Sequence, residues 1–395
     1  MNRRIRLTVV MTHPVQYFSP WFRYIEQEAP ELDLTVLYAI EPTADQQAVE
    51  FARAFTWDGS LRDGYRNSVL RMTKEEDSIA SERFFGLDVP GLGNAIRATE
   101  PDVALVSGWH SAFLVRAIWE CRSARIPLVY RGDSYLVHRH KGLRSWTWGA
   151  RTRFILGRYD VWLSVGRLAR EYLEFFGVAG DRIFDSPHAV DNDFFAREAA
   201  PFRDGARRLE ARREWGIPGE AYVALFVGKF IERKRPLDVI DALHVMNGDG
   251  VLLAAGSGDL ESECRERARE KNVPVVFKGF LNQSELGRAC AIADCLVLPS
   301  VYETWGLVVN EAMATGLPCV VSDGVACAPD LIVPGETGEV FSVGDVSGLA
   351  SGLTRLRSEK EEGRIRSTKC RDLVKQYSYK HATEGLVRAC EAVVA

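Results

Sequence analysis

Two doubly wound α/β domains in tandem are the fold class this sequence predicts, and three observations lead there. Short β-rich apolar runs alternate with longer amphipathic ones from end to end, the pattern of parallel α/β architecture. That rhythm breaks once, in the polar stretch 196–213, and then resumes with a second full set of strands. A chain of 395 residues is also too long for one ordinary core and about right for two.

Taken in order, strands are expected near 7–11, 34–38, 103–106, 128–130, 161–165 and 183–185, with helical patterns between most of them. The second set lies near 222–227, 251–255, 275–277, 294–298, 319–322 and 339–341. This gives a first domain over 1–200, a linker over 201–214 and a second domain over 215–380. The amphipathic run 381–395 suits packing on either domain. Ligands of open α/β sheets bind at the carboxyl ends of the strands, so the strand-to-helix loops are where chemistry is sought.

Composition narrows the class. Apolar residues make up 46% and charged residues 26%, as in ordinary globular proteins. A formal net charge of -4 provides no basic field for nucleic acid, which is not expected as a partner. The eight cysteines show no Cys-x-x-Cys and no interleaved histidines, so reduced, mostly buried thiols are expected. The basic start before Leu7 is followed by an apolar run too short for a signal peptide, and no window reaches transmembrane length. The expected location is the cytoplasm, with peripheral contact at the inner membrane face left open.

The richest stretch is Pro299-Ser300-Val301-Tyr302-Glu303-Thr304-Trp305-Gly306-Leu307, continuing through Glu311 to a stop at Gly316 and Pro318. It places Glu303 in a strand-to-helix loop and Glu311 on the helix that follows. Gly306 admits a ligand to the backbone, and the free N–H groups of a helix start with the positive end of its dipole favour an anion. Diphosphate on the amides, a ribose diol on Glu311 and sugar hydroxyls on Glu303 would suit a nucleotide diphosphate sugar. Taken alone, two acids offsetting a helix dipole is the simpler reading.

Three other turns bear on the choice. Gly228-Lys229-Phe230-Ile231-Glu232-Arg233-Lys234 follows a strong strand and precedes a helix. Charge-assisted hydrogen bonds from Lys229 and Lys234 would be worth about 1.5–3 kcal/mol each; a solvated basic loop is the alternative. Gly256-Ser257-Gly258 is a weak signal by itself. Phe277-Lys278-Gly279-Phe280 ends the next strand, where Gly279 amides and Phe280 would meet a base, or form a plain turn with an aromatic in the core.

In this order, and with Pro334-Gly335-Glu336-Thr337-Gly338 after them, these motifs resemble the retaining glycosyltransferases of family 4. The resemblance implies the GT-B fold: two Rossmann-like domains facing a central cleft. It covers roughly 215–395 well and the front half more loosely. It implies a first domain that binds acceptor and a second that binds the nucleotide sugar. Carried over by motif, Glu303 looks like the group on the donor sugar and Glu311 the group on the ribose. Lys229 and Lys234 look like the diphosphate pair, with Gly228, Gly279, Phe280, Thr304, Trp305, Gly306 and Leu307 around the donor. Where the family often has Arg, Lys229 replaces a bidentate fork by a point charge.

The implied activity is metal-independent transfer of a sugar, with retention, from a UDP- or GDP-sugar to a hydroxyl of a small-molecule, lipid-linked or glycan acceptor. No cofactor and no metal are expected. The architecture also admits a glycan phosphorylase, a sugar-nucleotide epimerase or a noncatalytic nucleotide-sugar binder. A dinucleotide oxidoreductase should show an early Gly-x-Gly-x-x-Gly with an acid on the next strand, and none is found.

The front half departs from the family. Thr12-His13-Pro14-Val15-Gln16-Tyr17-Phe18 stands where a Gly-rich loop is usual, making His13 and Gln16 acceptor-contact candidates. Asp133, in Arg131-Gly132-Asp133-Ser134, occupies the place of a family His near the reacting centre; it would orient acceptor or donor sugar, or merely cap a turn. His110 ends a neighbouring strand and is a second candidate there. In Ser186-Pro187-His188-Ala189-Val190-Asp191, His188 and Ala189 replace the usual Asn and Gly. Asp191-Asn192-Asp193 spells an Asp-x-Asp by coincidence of position. The acid-free, basic and aromatic stretch between Ser134 and Arg158 reads either as a surface for anionic lipid or phosphorylated acceptor, or as a solvated helix with one face in the core.

Overall fold

The computed structural model describes residues 3–43, 46, 60–74, 76–78, 83–136, 143–203, 205–246, 250–357 and 360–394. They form two compact units, 1–188 with 379–395, and 189–378.

The first unit runs β1 (Ile5–Met11), α1 (Ser19–Glu28), β2 (Leu32–Tyr38), β3 (Asn67–Val69), α2 (Leu92–Ala98), β4 (Val103–Val106), α3 (Ala112–Ser123), β5 (Leu128–Gly132), α4 (Leu143–Leu156), β6 (Val161–Ser164), α5 (Arg167–Phe175) and β7 (Ile183–Asp185). Its sheet is parallel, in the order β3-β2-β1-β4-β5-β6-β7. β4 is apolar and buried along its whole length because both faces of the sheet are covered. Ile96, Phe113, Leu114, Leu156 and Tyr172 pack on one face, and Trp21, Phe22 and Ile25 on the other.

The second unit holds α6 (Asn192–Ala199), α7 (Gly205–Glu214), β8 (Tyr222–Val227), α8 (Pro236–Val245), β9 (Gly250–Ala255), α9 (Glu261–Glu270), β10 (Val275–Gly279), α10 (Gln283–Ile292), β11 (Cys295–Leu298), α11 (Leu307–Thr315), β12 (Cys319–Ser322), α12 (Ala328–Leu331), β13 (Gly338–Phe341), α13 (Val346–Leu356) and α14 (Lys360–Val374). Its sheet, also parallel, runs β10-β9-β8-β11-β12-β13. Val239, Leu243, Cys264 and Leu353 build the core on the side of α8, α9 and α13.

The last helix, α15 (Tyr379–Val394), belongs to the first unit. Leu386, Ala389 and Cys390 enter its core, Trp21 Nε1 donates to Thr383 Oγ1 at 3.0 Å, and Ser186 Oγ donates to the Ala382 carbonyl at 2.8 Å.

Three expectations are corrected. The boundary falls after His188, not at 200. The stretch 201–214 contains α7, packed into the second unit, and is not a linker along its length. Its arginines are the reason: Arg208 and Arg212 donate to the carbonyls of Ala291, Ile292 and Ala293 at the end of α10, and to the Asp294 carboxylate at 2.7 and 2.9 Å. Cations that look solvated in the sequence thus satisfy the orphan carbonyls of a helix C-terminus. Finally, β3 is an unforeseen strand of three residues, too short for any alternation to show.

Candidate functional site

In the second unit, β8 and β11 lie side by side while their chain continuations lead to opposite flanks of the sheet. Such a switch point leaves a crevice beyond the strand ends. From β8 comes Gly228-Lys229 and a single 3-10 turn, Glu232–Lys234; from β11 comes Ser300 to Gly306.

The two loops meet at Glu303. Its Oε1 accepts from Lys234 Nζ and, at 2.7 Å, from Ser300 Oγ; its Oε2 lies 3.8 Å from Arg233. Ser300 is held in turn, since its carbonyl accepts from Ser322 Oγ at the end of β12. Arg233 stacks on the Tyr302 ring at 4.9 Å and donates to the Tyr302 carbonyl at 3.2 Å. The Glu303 backbone is fixed too, its N–H on the Gly324 carbonyl at 2.9 Å and its carbonyl accepting from Ala326 at 3.1 Å. Glu303 is only 9% exposed, so this is a preset group rather than a surface acid. Burial holds the Lys234 ammonium below the usual lysine range; Glu303 opposes this, and nearby Arg233 and Lys229 add to it. Lys229 itself is half-buried at the same edge.

Gly306 turns the chain into α11 with φ +101°, a left-handed conformation that suits glycine, and no side chain caps the helix. The amides of Gly306, Leu307 and Val308 make no hydrogen bond among the described residues. They are the free donors a helix start offers an anion. Thr304 is exposed beside them, whereas the Trp305 side chain is buried and donates from Nε1 to Asn310 Oδ1 at 2.8 Å. The Trp305 side chain is therefore a structural pin for the helix start, and its carbonyl accepts from Cys327 N–H at 3.1 Å.

Glu311 stands on α11, half-buried, with no hydrogen bond or ion pair among the described residues. Burial without a partner pushes its carboxyl up to about 7. A half-buried acid with no protein donor among the described residues is a group suited to a ligand.

The glycine turns at the other strand ends are stitched to one another. A Cβ on Gly256 would lie 1.9 Å from the Gly228 carbonyl oxygen, and Gly256 N–H donates to the Gly279 carbonyl at 2.7 Å. Close backbone approach explains the glycine at 256 without a ligand. Phe277 packs edge-on against the core ring Phe230 at 6.1 Å and lies under the Arg265 guanidinium at 4.0 Å; it, Gly279 and Phe280 are all half-buried.

The first unit has its own switch point, between β1 and β4. His13 sits half-buried after β1, its Nδ1 2.9 Å from Thr12 Oγ1, and Gln16 is half-buried with no hydrogen bond among the described residues. His110 is exposed beyond β4. Asp133, past the end of β5, accepts no side-chain hydrogen bond among the described residues, and its Oδ2 lies 3.9 Å from His188 Nε2.

Two residues here escaped selection as site candidates, Arg131 and His188. Arg131 is 3% exposed, with no carboxylate in hydrogen-bonding contact among the described residues. It lies over Trp21 at 4.6 Å and Phe18 at 5.4 Å, and donates to the carbonyls of Ser186 and Pro187, both at 3.2 Å. Burial lowers its affinity for its proton to about 10, and it and burial together hold the buried His188 imidazole well below the usual histidine range. The signal was the unusual Ser186-Pro187-His188 turn itself.

Asp191 caps α6, its Oδ1 accepting from Phe194 N–H at 2.8 Å, and Asn192 Nδ2 donates to the carbonyls of Val374 and Tyr377 at 3.1 and 3.2 Å. Of the basic aromatic stretch, 137–142 lie outside the described residues. Trp148 packs on the core ring Phe176 at 5.1 Å, while Phe154 is exposed beneath the Arg158 guanidinium at 4.3 Å. Among the described residues no helix is long and apolar enough to cross a membrane. The eight cysteines are all buried free thiols, as expected.

Comparison with known proteins bears on both units. Residues 207–376 match the model of the family described as Glycosyl transferases group 1. Over 169 residues, 42% of this chain and 44% of the relative, the chain is 30% identical to the N-acetyl-alpha-D-glucosaminyl L-malate synthase of Bacillus anthracis. Over 226 residues, 52% of each protein, it is 31% identical to the D-inositol 3-phosphate glycosyltransferase of Thermomonospora curvata. The chain spans about half the length of the curated relatives it matches. Among solved structures, the HepE protein of Anabaena in complex with UDP and glucose aligns with a TM-score of 0.71 at 13% identity, covering 98% of this chain and 100% of that one. At that identity the likeness shows the fold alone, two Rossmann-like domains of the GT-B type.

Proposed function

We propose that this chain, whose residues 207–376 match the model of the group 1 glycosyltransferases, is an enzyme that moves a sugar from a nucleotide diphosphate sugar to an acceptor hydroxyl, with retention at the anomeric carbon and without a metal. The observation that carries this reading is the convergence on Glu303: a carboxylate fixed by Lys234 and Ser300, beside the free amides of Gly306, Leu307 and Val308. Cations and free amides suit the diphosphate, and an oriented carboxylate suits sugar hydroxyls.

In this scheme the diphosphate lies on the α11 amides, Lys229 and Lys234, and the ribose diol on Glu311. Lys234 is already paired with Glu303, so the arriving diphosphate shares or takes that ammonium. As the bond between the anomeric carbon and the phosphate oxygen breaks, negative charge grows on the leaving diphosphate. The two ammonium groups and the helix start stabilise it by preorganised electrostatics. The leaving oxygen then accepts the proton of the acceptor hydroxyl as the new glycosidic bond forms on the same face, so no strong protein base is required. UDP in the HepE complex supports uridine as the first donor base to try, with guanosine the second. A small molecule, a lipid-linked sugar or a glycan all remain acceptors within this reading.

The test is a thermal-shift panel of UDP, GDP, ADP and their sugars on the full chain, followed by mass spectrometry of products from the stabilising donor in excess chelator. The expected result is stabilisation by one nucleoside diphosphate and its sugar, then an acceptor heavier by one glycosyl residue with retained configuration. Stabilisation by no nucleotide overturns the proposal. Dependence on free phosphate would indicate a phosphorylase, an altered sugar still on its nucleotide an epimerase, and binding without turnover a noncatalytic binder. Activity abolished by the chelator removes the metal-free scheme.

A further inference from the structure

When the diphosphate of the proposed donor draws on Lys234, Glu303 stands to lose the ammonium that holds its Oε1. Glu303 is buried, and a carboxylate stripped of its cation inside a protein is strongly destabilised. A second cation is then needed beside it. Among the described residues the other cation in ion-pair range is Arg233, whose Nη1 lies 3.8 Å from Glu303 Oε2. Ser300 Oγ stays on Oε1, whereas Oε2 accepts no hydrogen bond among the described residues.

Arg233 is tied to the residues that lead into Glu303, although the two loops leave different strands, β8 and β11. Its Nη1 donates to the Tyr302 carbonyl at 3.2 Å, and its guanidinium lies over the Tyr302 ring at 4.9 Å. Its own carbonyl accepts from Val301 N–H at 2.8 Å. Yet its Nε and Nη2 make no hydrogen bond among the described residues, and its side chain is 36% exposed, against 16% for Lys234. The gap to Oε2 closes to hydrogen-bonding distance with a shift of about 1 Å. A planar guanidinium fork also suits a carboxylate better than an ammonium does, so Arg233 can take Oε2 without leaving Tyr302. That would release Lys234 to the diphosphate.

We propose that Arg233 is a positioning residue for sugar transfer: as the diphosphate draws Lys234, Glu303 passes from the ammonium to the Arg233 guanidinium, which keeps the carboxylate oriented for the sugar hydroxyls. Arg233 touches neither the phosphates nor the reacting atoms and acts through Glu303. The inference rests on the glycosyl-transfer reading and deepens it, since only a donor that claims Lys234 sets the exchange in motion.

The experiment uses the full chain, with UDP, GDP, ADP and their hexose conjugates as probes. Calorimetry gives the affinity for the nucleoside diphosphate, and its release from the sugar donor gives kcat and KM. In Arg233→Gln, or in Arg233→Met should that variant not fold, kcat falls about tenfold, while nucleoside diphosphate affinity stays within about twofold. In a Glu303→Gln background the same substitution at Arg233 changes kcat less than twofold, because the group it acts through is already gone. Three results overturn the proposal. Nucleoside diphosphate affinity lowered tenfold or more would put Arg233 on the phosphates, an equal loss of kcat in both backgrounds would put it on another part of the substrate or in the scaffold, and an unchanged kcat would remove the exchange. Failure of UDP, GDP and ADP all to bind the wild-type chain, or binding with no donor consumed, would instead strike the glycosyl-transfer reading, so the two failures are told apart.

Discussion

The two units carry the same strand order about their switch points, β2-β1-β4-β5 in one and β9-β8-β11-β12 in the other, yet the loops beyond those strands hold opposite chemistry. The second unit gathers Lys229, Arg233 and Lys234 beside uncapped helix amides and sets one carboxylate among them. The first unit buries Arg131 against aromatic rings, where its guanidinium holds the carbonyls of Ser186 and Pro187. The second unit concentrates cations and free amides, as a multiply charged anion requires, whereas the first unit commits its buried cation to rings and carbonyls. Identical topology therefore fixes where a site lies, and the side chains of the loops decide what enters it.

The largest test of that contrast is Lys234→Ala, which removes a cation from the second unit and frees Glu303. Turnover should fall by about 10²–10³-fold, the range for losing one preorganised charge donor, measured as kcat/KM for donor consumption. A change of less than threefold would put the departing diphosphate elsewhere. Next comes the separation of the two acids. Glu311→Ala should weaken nucleoside diphosphate binding by about 10–100-fold in calorimetry. Glu303→Ala should instead lower kcat and leave nucleotide affinity nearly unchanged; the reverse pattern would exchange their roles.

Glu311 also yields a pH dependence whose sign is set. Its carboxyl titrates near 7 in the folded chain, above its unfolded value, so the folded state holds the extra proton between those limits and stability falls as pH rises toward and past 7. Glu311→Gln should therefore raise Tm at pH 8 by roughly 2–6 °C and change it little at pH 5. The ionised form accepts ribose hydroxyls best, so nucleotide affinity of the wild type should gain on that of the Gln variant as pH rises through 7. Parallel pH profiles would contradict this.

Much of this was legible in the sequence, and the gaps have physical causes. Strands such as Tyr222–Val227 and Cys319–Ser322 announce themselves because they are apolar throughout and bounded by turn residues. Glu303, Glu311 and Lys234 could be named from their loops, but not the ion pair: it needs β8 beside β11, an adjacency that strand order in the chain does not reveal. Arg208 and Arg212 misled because a charge run looks the same whether water or helix carbonyls satisfy it. Arg131 and His188 were hidden by distance, the carbonyls that Arg131 holds lying 55 and 56 residues away.

The smallest expected effect sharpens the comparison from the other side. Among the described residues Arg131 has no acid partner in hydrogen-bonding contact to strand, and its Nε is buried without a hydrogen bond. Arg131→Met, which keeps an apolar stem among the rings, should shift unfolding free energy by only about 1 kcal/mol in urea titration. A loss several times larger would show that the guanidinium's hold on the 186–188 turn is a main source of the unit's stability.

The central claim is that the second unit holds the diphosphate of an activated sugar, and a crystal structure of the full chain with a stabilising nucleotide sugar tests it most directly. The account predicts phosphate oxygens within hydrogen-bonding distance of Lys229, Lys234 and the amides of Gly306 to Val308, with the ribose on Glu311. A nucleotide sugar bound in the crystal away from these groups would contradict it.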